Sequence, residues 1–436
     1  MISRAWLDEW AAAVARDAEN AHIGRFTDVT VRVVDDNGGD VVLHYDHGRV
    51  RVEDAPEAEH RAFDADLVLR GPVSAWAELV DPAPAPRRHD LLSLTKAADG
   101  IEVVRGREHL LRHLRVLTRL VEIGRAHGRA PVPARAAPAR RGTPSSAEPV
   151  IEDVVGRYLH VGSSGERHRV YFEEAGSGPP LLALHTAGSD SRQFRHLLAD
   201  DEVTSRHRVV AFDLPWHGRS LPPDRWWERE YLLTTDRYVA VVEDVSDALG
   251  LERPIVLGCS MAGSLVMELA RRSPDRWGGV IGLSGGLHVE GRFADWSLWP
   301  DLNAPQVVAS WTASLMSPHS PEAARREVWW TYSQGGPGVY RGDTYFYSED
   351  LDLRETAGSI DTARCPVVLL TGEYDHACTS DDTAAAVAAI PGATGGTMAG
   401  IGHFPMAENY PLFRTHLLPA LEDLRGLRDA PGEDPS

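Results

Sequence analysis

The stretch Pro254-Ile255-Val256-Leu257-Gly258-Cys259-Ser260-Met261-Ala262-Gly263 carries an apolar run into a serine with a small residue two places to either side. A helix-compatible segment, Ser264-Leu265-Val266-Met267-Glu268-Leu269-Ala270, follows at once. Strand, serine and helix in that order form the layout of a nucleophile elbow. A serine hydroxyl is a weak nucleophile, so it must stand clear of the backbone, beside a base and facing hydrogen-bond donors. A tight strand-to-helix turn achieves this where small side chains let strand and helix approach closely. Gly258 and Ala262 supply that room, although glycine is the usual residue at the second position and alanine a mild departure from it.

Working outward, Cys365-Pro366-Val367-Val368-Leu369-Leu370-Thr371-Gly372 reads as a buried parallel strand, with Glu373-Tyr374-Asp375 at its carboxyl end. Gly400-Ile401-Gly402-His403-Phe404-Pro405 sets a histidine in a Gly-rich turn before a terminal helix over Tyr410 to Leu424. Upstream, Pro179 to Ser189 is an apolar strand ending in the loop His185-Thr186-Ala187-Gly188, and Arg208 to Ser220 is a strand followed by a tight turn. Serine, then aspartate, then histidine is the chain order of one well-known triad. On these five motifs, residues from about Val154 to Leu424 resemble a serine α/β-hydrolase: a mostly parallel, doubly wound sheet with a helical cap.

The resemblance implies roles residue by residue. Ser260 matches the nucleophile, His403 the general base and Asp375 the acid that fixes the imidazole tautomer and stabilises the imidazolium. The backbone N–H groups of Met261 and Ala187 match the oxyanion donors, each worth about 3 to 4 kcal/mol in the transition state. Thr186 stands where the family pattern has glycine, which leaves open whether Thr186 or Ala187 turns its amide inward. Glu373, Asp381, Asp382 and Glu290 are rivals to Asp375. Serine rather than aspartate at the elbow argues against the dehalogenase and epoxide-hydrolase branches of the fold.

A chain of 436 residues exceeds the needs of one compact domain. Its net charge of −19 disfavours nucleic acid or an anionic membrane surface as a partner. Cys259, Cys365 and Cys378 have no metal-ligand spacing and suit a reducing compartment, so no metal or cofactor is expected. No apolar run approaches membrane-spanning length, and Asp8, Glu9, Arg16 and Asp17 interrupt any leader-like segment, so a cytoplasmic location is expected. The one lysine, Lys96, lies outside the hydrolase half, which excludes Schiff-base chemistry there.

Residues 129–149, rich in Pro, Ala and Arg without apolar periodicity, read as a mobile linker, and residues 429–436 as a disordered tail. The hydrolase part then covers residues 150–428. Before the linker, residues 1–128 read as an α+β domain. An amphipathic helix over Ser3 to Asn20 precedes alternating strands at Val29-Val31-Val33, Val41-Leu43-Tyr45 and Val50-Val52. A strand over Phe63 to Arg70, a short helix over Pro72 to Val80, a strand over Ile101 to Val104 and a helix over Glu108 to Arg125 complete it. This order, with the Ala65-Asp66-Leu67-Val68-Leu69 strand leading into a short helix, is similar to the sterol carrier protein family. That resemblance implies a lipid or acyl ligand; a closed docking or dimerisation module is the competing reading, and a homo-oligomer stays open.

An insertion over about residues 289–362 falls where this fold carries its cap. It is rich in aromatics, with Trp296, Trp299, Trp311, Trp329, Trp330, Tyr332, Tyr340, Tyr345, Phe346 and Tyr347. Part of this set must form the cap's own core around helices at Gln306 to Met316 and Glu322 to Tyr332. Thr186, Trp296, Trp299, Trp311, Trp329, Trp330, Tyr345 and Phe346 are taken as pocket candidates. The expected function is hydrolysis of a carboxylic ester or lactone of a bulky apolar small molecule through an acyl-serine. Cleavage of a carbon–carbon bond in a diketone by the same triad is one alternative. A hydrophobic-ligand carrier joined to a hydrolase-like receptor is another.

Overall fold

The computed structural model describes residues 3–37, 39–54, 65–127 and 151–429, and divides into two compact units, Met1–Ile151 and Glu152–Ser436. The linker reading at 129–149 lies outside the described residues, as does the tail reading beyond Asp429.

In the first unit a five-stranded sheet runs in the order β3-β2-β1-β4-β5. Its strands are β1 (Asp28–Asp35), β2 (Asp40–Asp46), β3 (Arg49–Asp54), β4 (Leu67–Gly71) and β5 (Glu102–Arg105). All pairings are antiparallel except β1 with β4, where Val31 faces Leu67. The helices Arg4–Arg16 and Leu114–His127 bury Leu7, Trp10 and Val14 together with Leu114, Leu117 and Leu120. Trp10 Nε1–H donates to the Leu120 carbonyl at 3.0 Å, which settles its one polar atom in the interior. Between these helices and the sheet an apolar cavity of about 130 Å³ remains, walled by Trp6, Trp10, Val31, Val41, Trp76 and Leu117.

Two helices expected as continuous are broken. Asp17 leaves the first with φ −77° and ψ 119°, and its carboxylate accepts from the Asn20 amide at 2.7 Å, starting a second helix at Ala18–Ile23. An N-capping residue in extended backbone ends one helix and begins the next. The expected helix over Glu108 to Arg125 likewise divides at His113 into Arg107–Arg112 and Leu114–His127. The strand expected over Phe63 to Arg70 is β4, starting at Leu67; residues 55–64 lie outside the described set.

The second unit holds eight strands in the order β13-β12-β11-β10-β8-β9-β7-β6. They are β6 (Val155–Ser163), β7 (Glu166–Ala175), β8 (Pro180–Leu184), β9 (Arg208–Phe212), β10 (Ile255–Cys259), β11 (Gly279–Leu283), β12 (Val367–Gly372) and β13 (Thr394–Met398). From β9 through β13 all neighbours are parallel. Strands sandwiched between helical layers read as unbroken apolar runs, and Leu181 to Leu184, Val209 to Phe212 and Ile255 to Leu257 are buried throughout. By contrast β7, antiparallel to β6 and β9, alternates buried and partly exposed positions. Parallel registration brings the carboxyl ends of β8, β10 and β12 to one edge, where ligands bind in open α/β sheets.

Between β11 and β12 the helices Ala304–Ala313, Glu322–Tyr332 and Val339–Tyr345 form the cap. The first starts before the expected Gln306, because the Asn303 side chain accepts from the Gln306 amide at 3.3 Å and caps it. Among the described residues no helix is long and apolar enough to cross a membrane.

Candidate active site

The turn after β10 is as tight as its sequence requires. Ser260 sits at φ 60° and ψ −116°, a conformation L-residues rarely adopt and one that costs about 1 to 3 kcal/mol. Its N–H donates to the Leu283 carbonyl at 2.8 Å, and its own carbonyl accepts from the Ser264 amide at 3.0 Å. A Cβ on Gly258 would lie 2.3 Å from the Ala262 carbonyl oxygen. One on Gly263 would lie 2.4 Å from the Leu283 oxygen. The close approach of the helix Met261–Arg272 to β11 therefore falls on Gly263, and this explains why Ala262 is tolerated where glycine is usual.

Asp375, at the end of β12, is fully buried and receives His403 Nδ1–H at 2.6 Å on one carboxylate oxygen. Its other oxygen accepts the amides of Ala377 at 2.7 Å and Cys378 at 3.2 Å. With Nδ1 donating to a carboxylate, Nε2 is the acceptor nitrogen of the His403 ring. Ser260 and His403 open onto the same cavity. The rivals to Asp375 are engaged elsewhere. Glu290 pairs with Arg354 at 3.2 Å, Glu373 accepts the Gly400 amide at 2.9 Å, and Asp382 caps the helix Ser380–Ala389.

The loop after β8 divides its amides cleanly. Thr186 donates its N–H to Gln193 Oε1 at 3.1 Å, and Gly188 donates to Asp343 Oδ2 at 2.7 Å. Between them Ala187 keeps its N–H without a partner among the described residues and lines the cavity, as does Met261 at the first position of its helix. Of the two amides the sequence left open, Thr186 is engaged and Ala187 is the one without a partner among the described residues. Thr186 instead joins Gln193 and the Tyr332 hydroxyl in a buried cluster behind the loop.

Two buried carboxylates that the motifs did not reveal hold this frame. Glu408 accepts the amides of Gly402 at 2.7 Å and Phe404 at 3.2 Å, on either side of His403, together with the Ser317 amide and the Ser320 hydroxyl. Burial pushes its carboxyl up from the ordinary range. Asp343 accepts from Gly188, from His217 Nε2 at 2.7 Å and from the Tyr231 hydroxyl at 2.8 Å. Because His217 Nδ1 faces the Pro215 carbonyl at 3.0 Å, both its ring nitrogens meet acceptors. Burial is the largest single influence and opposes its protonation, but the charge and hydrogen bond of Asp343, with the Pro215 carbonyl and the Asp213 charge, together outweigh it and the histidine is raised. Neighbouring His185 is the opposite case. Burial pushes it down to about 4, and its Nε2 accepts the Leu214 amide at 3.1 Å, so it is neutral.

The cavity over Ser260 is small, about 30 Å³, and Trp311, Leu315, Tyr332, Tyr340, Tyr347 and Arg292 contribute to its walls. Of the aromatic pocket candidates, Trp311 alone lines it. Trp296 packs behind Trp311 with ring centroids 6.1 Å apart. Phe346 is fully buried edge-on to Tyr238 in the core. Tyr345 meets Phe293, Trp329 is half-buried away from the cavity, and Trp299 and Trp330 are exposed. The rotation of the cap helices and the course of the segments between them decide which aromatics face inward, and the sequence fixes neither. Arg292 was missed, and no sequence signal singles it out, because the same insertion holds several other arginines and acids.

Residues 179–410 match the family described as alpha/beta hydrolase fold. A 2-hydroxy-6-oxononadienedioate/2-hydroxy-6-oxononatrienedioate hydrolase of Paraburkholderia phymatum is 27% identical over 149 residues, 33% of this chain and 49% of that protein. A zearalenone hydrolase of Bionectria ochroleuca is 30% identical over 108 residues, 24% of this chain and 39% of that protein. The chain thus spans half or less of the length of these curated relatives. Among solved structures, a thermophilic esterase from Thermogutta terrifontis gives a TM-score of 0.54 at 18% identity, over 62% of this chain and 99% of that one. The enol-lactonase from Burkholderia xenovorans LB400 gives 0.53 at 18% identity, over 61% and 100%. At such identities these structures establish the fold alone.

Proposed function

The chain belongs to the alpha/beta hydrolase fold family, and from that premise we propose that it hydrolyses a carboxylic ester or lactone through an acyl-Ser260 intermediate. The observation that carries this reading is the 2.6 Å contact of His403 Nδ1 with buried Asp375, beside a cavity that Ser260 shares with two amides lacking partners. His403 Nε2 takes the Ser260 proton as the hydroxyl attacks the carbonyl carbon. The Ala187 and Met261 amides receive the oxyanion, and His403 returns the proton to the departing alkoxide. A water activated by the same imidazole then releases the acid and restores the serine. The cavity, about 30 Å³, has room for only a few water molecules. A bulky substrate therefore enters only as the cap's aromatic side chains swing outward, and those side chains then supply apolar contact.

Reaction with a fluorophosphonate followed by peptide mass spectrometry tests the reading, with the adduct expected on Ser260. The Ser260→Ala variant should lose about a million-fold in kcat, keeping only what the oxyanion donors and binding provide. Turnover left intact in that variant removes the assignment. The likeness to proteins named 2-hydroxy-6-oxononadienedioate hydrolase supports a second reading, in which the same triad cleaves a carbon–carbon bond of a diketone. For the first unit, the apolar cavity supports the reading of a lipid or acyl carrier.

A further inference from the structure

The cavity over Ser260 contains one cation and, among the described residues, no carboxylate in its lining. That cation is Arg292, from the segment after β11. Its guanidinium donates to the Ala377 carbonyl at 3.0 Å, and no aspartate or glutamate among the described residues pairs with it. Other cap arginines do have such partners: Arg341 meets Asp295 at 2.7 Å, and Arg354 meets Asp352 at 2.6 Å. Arg292 is close enough to Tyr340 and Tyr347 to oppose the rise that burial imposes on both phenols. Those phenols stay protonated, and both tyrosines line the same cavity. The Ser284 hydroxyl, 1% exposed and also in the lining, has no hydrogen-bond partner among the described residues. A guanidinium and several hydroxyl side chains in the lining of a cavity without an acid form a donor set looking for an acceptor. Arginine matches a carboxylate with two parallel N–H donors.

We propose that the substrate carries a free carboxylate, besides the bond that is cleaved, and that Arg292 binds it. This rests on the acyl-Ser260 reading and narrows its substrate class from apolar esters to anionic ones with an apolar body. Arg292 acts in binding, and the proton transfers remain with His403. The carboxylate belongs to the acyl half of the substrate or to the leaving half, and two pairs of probes separate these cases. Mono-4-nitrophenyl glutarate is compared with 4-nitrophenyl 5-methylhexanoate, in which an isopropyl group replaces the carboxylate. Likewise 4-carboxyphenyl butyrate is compared with 4-isopropylphenyl butyrate.

With the spontaneous rate subtracted, the full-length protein should favour the anionic member of one pair in kcat/KM by about 10- to 100-fold, the range of a charged hydrogen bond. The Arg292→Gln variant should lose that preference, the ratio of kcat/KM within the pair falling toward one. Arg292→Lys, which keeps the charge without the fork, should retain part of it. Equal rates within both pairs overturn the proposal, as does an Arg292→Gln variant that slows neutral and anionic esters alike, the mark of a structural tie to Ala377. If no ester turns over and the phosphonate leaves Ser260 unlabelled, the acyl-serine premise itself has failed, a result distinct from equal rates.

Discussion

Glu408 and His185 show how single buried residues set the chemistry without touching a substrate. Glu408 holds the amides on both sides of His403, so it governs where the imidazole points. Glu408→Ala should lower kcat by about 100-fold with KM little changed, since a displacement near 1 Å in a catalytic group costs that much. Steady-state kinetics of a folded variant, checked by circular dichroism, measures it. His185 bears on stability. Its folded value, pushed down to about 4, lies below the ordinary 6.5. The folded state therefore holds it neutral while the unfolded chain binds a proton. Its contribution is intact above pH 6.5 and fades as pH falls toward 4, by about 3 kcal/mol in all. Melting curves between pH 7 and pH 4 should fall more steeply for the native protein than for His185→Gln. Neither role was legible in the sequence. Glu408 is a helix carboxylate whose four partners become neighbours only after folding, and His185 looked like any loop-anchoring histidine.

At the scale of elements, the elbow was legible because its demands are local: an apolar strand, a serine and small residues within ten positions. Even so, the glycine that the packing needs lies one residue beyond the expected place. Gly263→Ala should destabilise by about 1 to 3 kcal/mol, the usual cost of overpacking, because its methyl meets the Leu283 backbone 2.4 Å away. Ala262→Gly should cost no more than the helix-propensity difference of about 1 kcal/mol. Chemical denaturation of the two variants distinguishes them. The order of Ser260, Asp375 and His403 could be read ahead because each follows a strand or turn with its own punctuation. The cap could not be resolved to the same degree. Two of its three helices were recognisable, Glu322–Tyr332 to the residue, but their apolar and aromatic residues surround the axis, and only packing selects Trp311, Tyr332, Tyr340 and Tyr347 for the cavity.

Across the whole molecule, all the groups assigned to catalysis come from the second unit. A protein lacking residues 1–151 should therefore keep measurable hydrolysis of short esters in a spectrophotometric assay. Loss of folding in that variant would show that the first unit is needed for assembly. Two parts were expected from the length of the chain and its Pro/Ala/Arg-rich stretch at 129–149, and the chain divides into two compact units at Ile151. What crosses long distances in sequence stayed hidden, and Asp343 is the clearest instance. It belongs to a cap helix, yet it anchors the Gly188 amide next to Ala187, 155 residues away in sequence. Were this helix to move as a substrate enters, the Gly188 amide would lose its anchor beside Ala187, so access and the shape of that loop are mechanically tied at Asp343.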